Sequence, residues 1–143
     1  MATRFQVTFD SAAPDKLATF WAAALGYIVQ PPPEGYADWP TFFKAQGIEV
    51  NIGDASAIVD PSGVGPRVFF QKVPEPKMAK NRMHLDLNVS DTRRVGQQEG
   101  RRRVNAEVQR LVGLGATQIR VADERGEYWT VMADPEGNEF CVQ

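Results

Sequence analysis

Two short stretches of the chain alternate strictly between hydrophobic and polar residues. In the first, Phe5, Val7 and Phe9 alternate with Gln6, Thr8 and Asp10. In the second, Leu85, Leu87 and Val89 alternate with His84, Asp86 and Asn88. Successive side chains of a strand point to opposite faces. Each stretch therefore predicts a strand with an apolar face for a helix and a polar face for water, a partner or a ligand. The apolar triplets take each other's places. So do the polar ones, with Gln6 standing for His84, Thr8 for Asp86 and Asp10 for Asn88.

The period then changes. Leu17, Phe20, Trp21, Ala24 and Leu25 recur at i, i+3, i+4, i+7 and i+8. This predicts an amphipathic helix packed on Phe5, Val7 and Phe9. Pro14 suits its first turn, Asp15 complements its dipole and Gly26 closes it. A strand begins over 27–30, and the prolines at 31–33 cannot continue a sheet. Asp38 as N-cap and Pro40 in the first turn predict a short helix over 39–46. It carries Trp39, Phe42 and Phe43, with Tyr36 just before it. Such an aromatic segment serves either as a flap over a sheet edge or as a lid over a pocket. Residues 55–59 and 67–73 read as strands on either side of the turn Asp60-Pro61-Ser62-Gly63, and 74–81 is a polar, Pro-marked connector.

The second half repeats this order. After the His84 strand, Ser90 and Asp91 offer caps. Val104, Val108, Leu111 and Val112 fall at helical spacing, and Gly115 ends the helix. Strands follow over 118–122 and 127–133 around a turn at 123–126. Asp134-Pro135-Glu136-Gly137 then leads into a last strand over 138–143. The chain thus reads as one domain built by internal duplication, with units over about 3–73 and 82–143.

Charge and cysteine usage narrow the partners. Sixteen basic and eighteen acidic residues give a net charge of −2, which excludes the basic footprint of a nucleic-acid binder. Arg101, Arg102 and Arg103 lie beside Glu99 and Glu107 and read as a solvated helix face. Cys141 is the only cysteine, so no intramolecular disulfide forms, which fits a reducing compartment. With no signal-like N-terminus and no membrane-length apolar run, the expectation is a cytoplasmic monomer or homodimer without a membrane partner.

The segments LATFWAAALG (17–26), HLDLNVSD (84–91) and DPEGNEFC (134–141) resemble those of the glyoxalase / bleomycin-resistance / extradiol-dioxygenase group. This is the vicinal-oxygen-chelate superfamily, here its small bacterial glyoxalase-like proteins. The resemblance implies an α+β fold in which two βαβββ units curve into an eight-stranded open cup with helices outside. It also implies that metal-dependent members place ligands on the first and last strands of each unit. Gln6 and His84 match the first-strand positions. Cys141 and Gln71 match the last-strand positions, where the family places Glu. Both expected carboxylates are then missing, and a divalent ion in such a site needs negative ligands.

Two principal readings follow. In the first, the protein binds a small organic molecule without metal or other cofactor. Gln6, Thr8, Gln71, His84, Asp86 and Cys141 supply polarity, and Phe69, Tyr128, Trp129, Met132 and Trp39 supply walls. In the second, it is a lyase, isomerase or related enzyme. Such an enzyme uses either a rearranged metal site or His84 as general base, oriented by Asp86. A third reading is an interaction protein whose cup is filled by side chains.

Overall fold

In the computed structural model, which describes residues 1–143, the first alternating stretch becomes strand β1 (Val7–Ser11). It leads into α1 (Pro14–Leu25), β2 (Ile28–Val29), α2 (Trp39–Gln46), β3 (Ala55–Val59) and β4 (Val68–Lys72). The four strands form one mixed sheet in the order β1-β4-β3-β2, with β1 parallel to β4 and the other pairs antiparallel. These elements belong to a compact unit, Met1–Pro76, and the remaining residues form a second, Lys77–Gln143.

Helix α1 covers one face of the first sheet. Its apolar stripe of Leu17, Phe20, Trp21 and Ala24 is buried, as are Ile58, Val68 and Phe70 of the sheet. Trp21 is the centre of this core, with ring centroids 5.4 Å from Phe9 and 5.3 Å from Phe20. Gly26 closes the helix at φ 70°, a left-handed conformation that costs glycine little. Phe5 corrects the expectation. It precedes β1 and is 72% exposed, so Val7 and Phe9 alone pack toward the helix.

Helix α2 spans the residues its cap signals predict. The Asp38 side chain accepts a hydrogen bond from the Thr41 amide at 2.8 Å. None of its residues is fully buried. Instead Trp39, Phe42 and Phe43 pack on one another, Tyr36 packs edge-on against Phe42, and the Trp39 indole donates to the Gln30 carbonyl at 3.0 Å. The aromatic segment is therefore fastened to the end of β2.

The second unit has the same four strands but carries both helices between the first two: β5 (Asp86–Leu87), α3 (Thr92–Val95), α4 (Gln97–Gly113), β6 (Thr117–Glu124), β7 (Glu127–Ala133) and β8 (Glu139–Val142). Its sheet runs β5-β8-β7-β6, again with the first and last strands parallel. Both sheets are thus open, four-stranded and mixed, and each unit is of βαβββ type. On α4, Val104, Val108 and Leu111 are buried, as are Thr130, Met132, Phe140 and Val142 of the sheet. Val112, expected on this face, is exposed. The Thr130 hydroxyl is buried with no hydrogen-bond partner.

Three local features differ from the sequence reading. The helical segment is split at Gly96 into α3 and α4. Asp91 does not cap with its side chain but adopts φ 50° and binds Arg94 instead. The β6–β7 turn is tighter than expected, since β6 runs through Glu124 and the chain reverses at Arg125 and Gly126, both at positive φ. The arginine cluster does line α4 as a solvated face, with Arg101 on Asp123 and Arg102 and Arg103 on Glu99. No helix is long and apolar enough to cross a membrane.

Candidate functional site

A sheet with a helix on one side leaves alternate residues on its other side. In the first sheet this helix-free face pairs Thr8 with Phe69 and Asp10 with Gln71. Gln71 Nε2 donates to Asp10 Oδ1 at 2.8 Å. Gln6, just before β1, donates weakly to Thr8 at 3.4 Å and accepts from Arg67 Nη1 at 2.9 Å. Arg67 Nε donates to Gln30 Oε1 at 2.7 Å, and its guanidinium carbon lies 5.1 Å from the centroid of the Phe69 ring.

On the second sheet one row crosses all four strands: Asp86, Cys141, Val131 and Arg120. His84 Nε2 lies 3.3 Å from Asp86 Oδ1, so the i, i+2 pair meets directly. The ligand atoms of His84, Asp86 and Cys141 all fall within 4.8 Å of one another. Burial pushes the Cys141 thiol up from its ordinary value. The Asp86 charge and hydrogen bond add to this, and Arg120 opposes it. Glu139 is held below the usual carboxylate range mainly by its hydrogen bond to Lys80. Further along, Gln143 Nε2 donates to Asn88 Oδ1 at 2.9 Å.

The registers revise the internal match. Gln71 bonds Asp10 as Gln143 bonds Asn88, and Phe69 lies opposite Thr8 as Cys141 lies opposite Asp86. With Gln6 set against His84, the counterpart of Cys141 is therefore Phe69, not Gln71. The same match sets Val7 and Phe9 against Leu85 and Leu87, two positions earlier than the apolar triplets suggest. Two expected wall residues also change sides. Met132 is fully buried among the residues that face α4. Tyr128 donates to Asn105 of α4 at 2.6 Å, with Arg101 over its ring. Trp129 lies between them in sequence and takes the opposite face, that of Val131 and Cys141.

These residues do not fit a divalent cation held at the four first- and last-strand positions. Those positions carry Gln6, Phe69, His84 and Cys141, with no carboxylate. Phe69 has no donor atom. The Gln6 amide oxygen is already occupied by a guanidinium, whose positive charge repels a cation. Asp86 lies outside those four positions; with His84 and Cys141 it forms a set of three ligand atoms that could hold an ion on the second sheet alone.

Arg67 is the residue that sequence reasoning missed. Its signal was parity: it shares a strand face with Phe69 and Gln71, directly after Gly65-Pro66.

Comparison with known proteins agrees with the fold. Residues 6–143 match the model of a family described as a glyoxalase-like domain. A search of curated proteins gave no match. Among solved structures, the chain is similar to the fosfomycin resistance protein FosX from Mesorhizobium loti, at 10% identity and TM-score 0.62, covering 100% of this chain and 91% of that one. A possible glyoxalase from Bacillus cereus aligns at 14% identity and TM-score 0.61 over 100% and 99% of the two chains. A glyoxalase/bleomycin resistance protein/dioxygenase family enzyme from Burkholderia phytofirmans aligns at 14% and 0.57 over 97% and 94%.

Proposed function

Since the chain belongs to the glyoxalase-like domain family of the vicinal-oxygen-chelate superfamily, we propose that it binds a small organic molecule on the helix-free face of a sheet and needs no metal to do so. Gln6, Thr8 and Gln71 offer polar contacts on the first sheet, beside Phe69, and Trp39 is tied to Gln30 at the end of β2. His84, Asp86 and Cys141 offer them on the second, beside Trp129. A few directed polar groups among aromatic surfaces are what a small-molecule site requires. The observation that carries the metal-free part is the Gln6–Arg67 hydrogen bond, which puts a fixed cation on one of the family's ligand positions.

Metal analysis of the purified protein after chelator treatment tests this, repeated on Cys141→Ser and His84→Ala. The expected result is no stoichiometric metal and an unchanged melting temperature. Near-stoichiometric zinc that disappears in both variants would overturn the reading.

The His84–Asp86 contact favours a second reading, in which the same site abstracts a proton. The carboxylate faces Nε2, so in the neutral ring the proton sits there and Nδ1 is left as an acceptor. Turnover that survives His84→Gln would remove this reading.

A further inference from the structure

We infer that Arg67 takes an oxyanion of the bound molecule, a carboxylate or a chemically equivalent group attached to an apolar or aromatic body. The inference rests on the small-molecule reading and names the ligand class for the first sheet.

Arg94, Arg101, Arg102, Arg103 and Arg110 each pair with a carboxylate. Arg4, Arg82, Arg93, Arg120 and Arg125 are exposed and pair with none, and Arg67 too has no carboxylate partner. It is half-buried, and its hydrogen bonds go to two neutral amide oxygens, Gln6 Oε1 at 2.9 Å and Gln30 Oε1 at 2.7 Å. These bonds fix the guanidinium plane without cancelling its charge. They use Nε and Nη1 and leave the Nη2 amino group unused. A guanidinium presents a planar fork of donors that matches a carboxylate, and one held in advance loses less entropy on binding. Phe69 lies under the guanidinium at 5.1 Å. Trp39 is tied to the backbone of Gln30, the residue that holds Arg67 Nε, so the aromatic cluster of α2 shares an anchor with the cation. A fixed positive charge over an aromatic ring suits an anion with an apolar body. On this face the guanidinium supplies the positive charge that metal-dependent relatives obtain from an ion.

The test uses the full chain, ¹⁵N-labelled, with phenylacetate, acetate and the neutral phenylacetamide as probes at ionic strength matched by chloride. Phenylacetate is expected to move the Arg67 Nε–H signal saturably, with an apparent affinity at least tenfold above that of acetate. Phenylacetamide and chloride are expected to leave that signal in place. Arg67→Gln, verified as folded by near-UV circular dichroism, is expected to lose the phenylacetate response at the Phe69 and Gln30 amides. Absence of a saturable shift, or a response unchanged in Arg67→Gln, would overturn the inference. Saturable shifts from phenylacetamide that bypass Arg67 would overturn it while leaving small-molecule binding intact. A response at Arg67 with no change at His84 or Asp86 would support it and confine this ligand to the first sheet.

Discussion

Asp86 lies directly across from Cys141 in the parallel pairing of β5 and β8, with a carboxylate oxygen within 4.8 Å of the thiol sulfur. Backbone register alone sets this contact, since the two residues are far apart in the chain. Burial, with the Asp86 charge added, holds the thiol in its neutral form and makes it a poor nucleophile near neutrality.

The first prediction concerns this thiol. Its folded-state pKa is raised above the ordinary 9.0. The associated stability is therefore fully present below the unfolded value and is lost as pH rises through the folded one. Urea midpoints at pH 8 and pH 10 are expected to fall further for the wild type than for Cys141→Ser. Iodoacetamide is expected to label Asp86→Asn several-fold faster than wild type at pH 8, because the carboxylate charge that raises the pKa is gone. Equal labelling rates would show that Asp86 does not hold the thiol.

Trp21 is 1% exposed and packs between Phe9 and Phe20. Trp21→Ala is expected to destabilise the protein by about 3–5 kcal/mol through lost burial and the cavity left behind. Chemical denaturation followed by circular dichroism checks this, and an unchanged midpoint would refute the packing described for α1.

Thr130 should behave in the opposite way. Its hydroxyl is buried toward α4 with no partner, and an unsatisfied polar group of this kind costs roughly 1–3 kcal/mol. Thr130→Val keeps the shape and removes that cost. The variant is expected to melt higher than wild type. A lower melting temperature would mean that the hydroxyl is satisfied in solution.

Gly100 lies in the first turns of α4, where alanine normally favours a helix. A Cβ there would sit 2.3 Å from Thr92 Cγ2 of α3. Gly100→Ala is therefore expected to destabilise despite its better helix propensity, and Thr92→Ser in the same chain is expected to recover part of the loss. Thermal melts of the single and double variants decide the point.

Much of this was readable from local chemistry. The Asp38 cap with Pro40 bounded α2, and the turn Asp60-Pro61-Ser62-Gly63 ended β3, because each signal lies in or beside its own element. Long-range register was not readable. A slip of two residues keeps every side chain on the same face, so periodicity could not separate Phe69 from Gln71 as the counterpart of Cys141. The loop between Gly63 and Arg67 hid the offset. Tyr128 and Met132 were misplaced for a different reason. Trp129 shares their aromatic or apolar character but lies on the other face, and composition alone ignores the pleat. Arg67 went unremarked because its importance lies in its neighbours, Gln6 and Gln30, which the fold supplies.

The register shift between Gln118 and Arg120 has a consequence for how the protein behaves in crowded solution. Strand β6 is the outer strand of its sheet, and Ile119 and Val121 are exposed on it. A straight rim of that length would template the addition of a foreign strand, the first step toward aggregates. The bulge interrupts the even spacing of amides and carbonyls that such recruitment needs. Arg120, Asp123 and Glu124 place charges of both signs along the same rim. The irregularity thus shields the sheet from its own kind, so that the protein can stay dispersed while keeping apolar residues at its border.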